Sequence, residues 1–234
     1  MSPDQYLLGL LNNVAHRSSI FDAAVRFVAD QAVLKGALLT SLLWLAWFQR
    51  DPGQKLRRSL VISTLAATIA SLLLAKIIRF YLPFRLRPIQ DPAVGFTLPH
   101  HVTSESLWNW SSFPSDTAAF GFALSVGVLM IWRRWGWFAI LYSLVVICIP
   151  RVYLGYHYPS DIVAGALIGS VVTLIMGHDK IRIPLSRRLL LWSDDYPGAF
   201  YCAFFLVTYE VAAVFENARQ ILTAAWKLSR HSVL

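Results

Sequence analysis

The sequence predicts an all-α fold: a polytopic membrane helix bundle of five to six spanning helices, with an amphipathic helix at the N-terminus. Three observations carry this. Hydrophobic residues make up 56% of the 234 and charged residues only 15%, where a soluble domain carries about 25% charge. The apolar residues gather in runs that approach the ~20 a helix needs to cross a bilayer. The basic residues collect in the loops between alternate runs, as they do on the cytoplasmic side of membrane proteins.

The first 32 residues form the amphipathic, interfacial element. Leu7, Leu10, Leu11 and Val14, then Phe21, Val25 and Val28, recur at helical spacing, while Asp4, Arg17, Asp22, Arg26 and Asp30 interrupt any continuous apolar run. That pattern suits a helix lying on a membrane surface, with a marginal first span as the alternative. The opening MSPDQYLLGLL has an early Asp4 and no basic stretch, so it does not read as a cleaved signal peptide.

Residues 33–178 form the transmembrane core, with spans expected at 33–49, 59–82, 116–132, 135–153 and 160–177. Residues 179–234 add a basic loop, a further hydrophobic segment at 198–215 that carries Glu210 near its end, and a tail. The loops at 50–58 (Arg50, Lys55, Arg57, Arg58), at Arg133 and Arg134, and at 178–197 (Lys180, Arg182, Arg187, Arg188) are all expected to be cytoplasmic. The loops at 83–115 and 154–159 then share the outer face. The net charge of +8 is therefore assigned to loops and anionic lipid heads rather than to nucleic acid. The nine Trp and nine Tyr suit membrane interfaces. Cys148 and Cys202 lie in apolar segments and read as small hydrophobes.

Three outer segments concentrate chemistry. In PRVYLGYHYPSD, residues 150–161, Arg151 ends one span and His157 and Asp161 open the next. Four residues apart, His157 and Asp161 share a helix face. A carboxylate beside an imidazole fixes its tautomer and leaves the other nitrogen free to attack, and Arg151 offers the planar donors that suit a phosphate. The competing reading is a capped helix start with a snorkelling Arg. In SSFPSDTAAF, residues 111–120, Ser115 and Asp116 precede a long apolar helix; this is either an anion site at a helix N-terminus or an ordinary cap. In KIIRFYLPFRLRP, residues 76–88, Lys76, Arg79, Arg85 and Arg87 sit at the outer end of a span. That is the wrong side for cations unless an anionic ligand or snorkelling holds them there.

Taken in this order, the segments resemble the type 2 phosphatidic acid phosphatase superfamily, which includes vanadium haloperoxidases and bacterial acid phosphatases. The resemblance spans roughly residues 55–178, and the Arg151, His157, Asp161 spacing is its most specific part. It implies an enzyme needing no metal or cofactor, acting through a phosphohistidine. His157 would be the nucleophile and Asp161 its orienting partner. Arg151 and Arg87 would clamp the phosphate, and Ser115 would add a donor. Either Lys76 or Arg79 would supply the first-motif cation, whose strict position falls on Phe80, and Lys76 is preferred.

Two departures bear on function. Pro150 stands where the motif has Ser, and Thr117 stands where Pro-Ser-Gly-His has its general-acid His. Thr117 at the phosphate site cannot protonate a leaving group, a contribution typically worth about 10²–10⁴-fold. His100 or His101 in the same loop would be a substitute. A phosphate leaving from a diphosphate needs no proton, so the expected substrate is a lipid diphosphate, a polyprenyl diphosphate in particular. The expected localisation is a bacterial cytoplasmic membrane with the site on the periplasmic face. The alternatives are a phosphotransferase acting on a second lipid and a non-catalytic lipid-binding protein.

Overall fold

The computed structural model describes residues 2–103 and 110–215. Among them every regular element is helical. The N-terminal region is two helices rather than one: α1 (Pro3–Asn12) and α2 (Ser19–Asp30). The break has a local cause. His16 adopts a left-handed backbone with φ 64°, and the Ser18 hydroxyl accepts the Phe21 N–H and starts a new helix. After Gln31 the chain bends by 52° into α3 (Ala32–Phe48).

The core follows in α4 (Gln54–Tyr81) and α5 (Asp116–Ile131). Next, α6 (Arg133–Tyr142) runs through a wide turn at Ser143–Cys148 into α7 (Ile149–Tyr153). The wide turn falls just before Pro150, which has no N–H to give the preceding turn. Then come α8 (Pro159–Gly177), α9 (Asp179–Asp195) and α10 (Pro197–Ala212).

Among the described residues, three stretches are long and apolar enough to cross a membrane: Gln54–Tyr81, Arg133–Tyr153 and Pro159–Gly177, with the bent α2–α3 pair a fourth if it counts as one span. Against the expected five to six, α5 and α10 are apolar but have only 16 residues each. For α5 the reason is its place: it packs against α4, α6 and α8, so its length is matched to helices rather than to lipid.

The segment at 179–195 is a helix, not the expected loop. Its charges misled the reading of its periodicity. Leu185, Leu189 and Leu190 lie against the core, while Arg187 and Arg188 point outward. Arg182 is buried and bonds Ser59 on α4 and Asp179.

Side-chain contacts fix the helix directions. Gly165 and Gly169 on α8 sit against α5 so closely that an added Cβ would lie 2.2 Å from the Ser115 and Ala119 carbonyl oxygens. Small residues four apart permit such contact. Further along, the Thr173 hydroxyl bonds the Ala123 carbonyl, so α5 and α8 run parallel. Gly127 of α5 meets Thr64 of α4, and Arg79 of α4 meets Pro114, so α4 runs antiparallel to α5. The starts of α5 and α8 and the ends of α4 and α7 therefore meet at one end of the bundle. The basic turns at 50–58 and 133–134 lie at the other.

Candidate active site

The loop from Leu82 to Ser115 folds over that end. The Arg85 N–H bonds the Ser111 hydroxyl at 3.1 Å and the Ser112 N–H bonds the Arg85 carbonyl at 3.0 Å. These bonds lay residues 85–87 beside 111–112. Arg87, 3% exposed, fills the seam. Its guanidinium donates to the backbone carbonyls of Trp110, Ser111 and Tyr156, spending three of its five N–H groups and tying the loop to the α7–α8 turn. Burial and the nearby Arg79 charge pull its pKa down to about 10, which leaves it charged at neutral pH.

His157 is 2% exposed. Its Nδ1 lies 2.8 Å from the Ser112 carbonyl oxygen and 3.6 Å from Asp161 Oδ2. The orienting hydrogen bond expected from Asp161 is thus made to a backbone carbonyl. A carbonyl can only accept, so Nδ1 carries the proton and Nε2 is left with a lone pair. Burial lowers the His157 pKa more than the Asp161 carboxylate raises it, and the Arg87 charge lowers it further.

Asp161 is fully buried at the start of α8. Its Oδ2 accepts the Tyr158 N–H at 2.7 Å and its Oδ1 pairs with Arg85 at 2.6 Å. Arg85 lies over the Tyr158 ring and also reaches Asp4 and Ser160. Asp4 in turn accepts from the Ser160 N–H and hydroxyl. Burial would raise the Asp4 carboxyl, but the bonds from Ser160 and Arg85 outweigh it and hold the pKa below its usual range. Arg85 and Asp4 are both evident in the sequence as charges, but the network that joins them to Asp161 is not. Its one sequence signal is the misplaced cation count of the loop.

A cavity of about 370 Å³ opens beside His157. Lys35, Lys76, Arg79, Arg87 and Arg151 line it against two carboxylates, Asp30 and Asp116. Arg79 pairs with Asp116 at 3.3 Å and bonds the Pro114 carbonyl at 3.0 Å. The Nε atoms of Arg79 and Arg151 are buried without a protein acceptor, and buried donors of this kind need one. Thr117 lines the cavity, as do Ile69, Leu72, Leu73, Val214 and Phe215, which give it an apolar wall.

Lys76 and Arg79 thus both face the cavity, and Arg79 is the one joined to the Pro114–Asp116 segment. Ser115 does not line it: its hydroxyl accepts the Ala118 N–H as the cap of α5, and its N–H goes to the Asp161 carbonyl. His100 and His101, the expected substitute acids, are also elsewhere. His100 stacks on His16 at 3.7 Å and bonds Asp22, and His101 meets Ser19. His16, Asp22 and His100 form one group whose donor atoms are close enough to hold a metal ion. It lies outside the cavity, and its polar atoms already bond one another, Tyr153 and Leu98.

Phosphate is the anion that such a set of guanidinium groups fits, since each offers planar paired donors. An imidazole with Nε2 open beside it has the chemistry to take a phosphoryl group. At the end of an apolar helical bundle, that combination defines an integral-membrane phosphatase. The family can now be given: residues 58–180, more than half of the chain, match the model of the PAP2 superfamily, and the chain belongs to it. It is 31% identical over 196 residues to YbjG of Escherichia coli K12, covering 80% of this chain and 88% of that one. It is 25% identical over 162 residues to the undecaprenyl-diphosphatase BcrC of Bacillus subtilis, covering 69% and 76%. It is 28% identical over 204 residues to the lipid A 1-diphosphate synthase of Escherichia coli K12, covering 82% and 74%. No solved structure matches the chain.

Proposed function

We propose that the chain hydrolyses a polyprenyl diphosphate on the outer face of a bacterial cytoplasmic membrane, through a phosphohistidine at His157. One observation carries the choice of substrate. Thr117 lines a cavity with five cationic side chains, and among the described residues no histidine other than His157 lines it. The site is rich in charge to hold phosphate and poor in groups to protonate a leaving oxygen. The apolar wall of the same cavity suits a lipid chain. The similarity to a named undecaprenyl-diphosphatase agrees with this reading.

The reaction would run in two steps. Nε2 of His157 bonds to the distal phosphorus, and the bond from that phosphorus to the bridging oxygen breaks. The electron pair leaves on the lipid monophosphate, a stable anion that needs no proton. Water then attacks the phosphohistidine and releases inorganic phosphate, and its surplus proton goes to solvent. Arg79, Arg87 and Arg151 would neutralise the equatorial oxygens, where charge stabilisation matters most.

The test is phosphate release by the purified protein from a polyprenyl diphosphate and from the matching monophosphate. The diphosphate should be cleaved faster, and His157→Ala should abolish both activities. Faster cleavage of the monophosphate overturns the substrate assignment. The likeness to a lipid A 1-diphosphate synthase favours one second reading, in which a lipid hydroxyl or phosphate replaces water as acceptor. A labelled donor supplied with and without such an acceptor separates the two.

A further inference from the structure

We infer that His16, Asp22 and His100 form a metal site of the zinc type, which clasps the outer loop to the N-terminal helices. The site lies outside the cavity, so the inference stands apart from the phosphatase reading.

One donor atom from each of the three residues lies within 4.8 Å of the other two, although Asp22 and His100 are 78 positions apart. Ligand atoms on a tetrahedral Zn²⁺ stand about 3.4 Å apart, from metal bonds of about 2.1 Å. The group is therefore slightly open, and side-chain movement closes it. His100 Nδ1 faces Asp22 Oδ2 at 2.8 Å, and the ion takes the place of the proton between them, which goes to solvent. His16 Nδ1 lies 3.2 Å from the Leu98 carbonyl oxygen, so that nitrogen carries a proton and Nε2 keeps a lone pair for the ion. The His16 and His100 rings stack at 3.7 Å. Binding turns them out of parallel, which the exposed His16 can do about its broad χ2 torsion. Water fills the fourth position.

The surroundings hold these donors in the way a ligand set is held. Asp22 is fully buried. Its Oδ1 accepts the Tyr153 hydroxyl, and its Oδ2 accepts the N–H groups of His16 and His100. Such bonds fix a carboxylate as the partners behind a metal ligand do. Two imidazoles and a carboxylate match Zn²⁺, whereas Mg²⁺ and Ca²⁺ take oxygen ligands. The ion joins two segments that already touch. Asn12 exchanges two bonds with Thr97, and Ser19 meets His101. Through Tyr153, two residues after Arg151 on α7, the clasp reaches the helix that carries part of the phosphate clamp.

The experiment titrates the full chain, purified with a tag free of histidine and stripped with a chelator, with Zn²⁺ or with Mg²⁺. Wild type should bind one Zn²⁺ per chain at micromolar concentration. Its thermal unfolding midpoint should rise with Zn²⁺ and not with Mg²⁺. His16→Gln and His100→Gln should each weaken Zn²⁺ binding about tenfold or more. His101→Gln, next in the chain but outside the group, should bind as wild type does. Co²⁺ in wild type gives a reading that needs no variant: the visible bands of a tetrahedral nitrogen and oxygen site should appear, and Zn²⁺ should displace them. Failure to bind Zn²⁺ at micromolar concentration overturns the inference. So do equal affinities in wild type and both glutamine variants at positions 16 and 100, an equal response to Mg²⁺, or missing Co²⁺ bands.

Discussion

At Thr117 a hydroxyl occupies the place where the superfamily motif carries an imidazole, and the surrounding residues explain why the site is still coherent. The neighbouring positions were legible in the sequence because their spacing is rigid: Arg151, His157 and Asp161 span one helix end and the next helix start. Their partners were not legible. The Ser112 carbonyl that holds His157 Nδ1 lies 45 positions away, and the Arg85–Asp161 pair spans 76. Backbone acceptors in a long loop leave no trace in residue type. One consequence is measurable in the pH profile. Burial lowers the His157 pKa from its ordinary value of 6.5, and protonation is what would disable Nε2. The acid limb of kcat/KM should therefore be centred below pH 6.5. An acid limb centred above 6.5 contradicts the buried, carbonyl-bound imidazole.

Among the elements, the long apolar runs were read correctly as helices because nothing in their composition competes with that outcome. The misreadings share a cause. In α9 the charges of Lys180, Arg187 and Arg188 hid an apolar stripe, and in the N-terminal region a continuous periodicity hid the turn at His16. The contact between α5 and α8 depends on residues without side chains, which hydropathy does not weigh. Gly165→Val should lower the thermal unfolding midpoint of the detergent-purified protein, since the new side chain meets the Ser115 carbonyl and overpacking of this kind costs about 1–3 kcal/mol. Gly198→Ala, where a Cβ meets nothing within 4 Å, should leave the midpoint unchanged. Equal midpoints for the two variants would mean that the helices separate freely.

For the whole molecule, the proposed orientation follows from charge. The basic turns at 50–58 and 133–134 gather at one end and the loop that carries Arg87 at the other, as the positive-inside trend requires of a site facing outward. In a background carrying Cys202→Ser, with Cys148 buried, cysteines introduced as Ala93→Cys and Arg134→Cys report the two ends. A membrane-impermeant maleimide added to intact cells should label the first and spare the second, and the reverse pattern inverts the assignment.

Asp4 stands at the start of the chain, yet it closes a loop of bonds with Ser160 and Arg85 that braces the opening of α8. The brace is therefore complete only when two segments 156 positions apart have met. A bulky group placed beside Asp4 would crowd the opening of α8, and the candidate site with it.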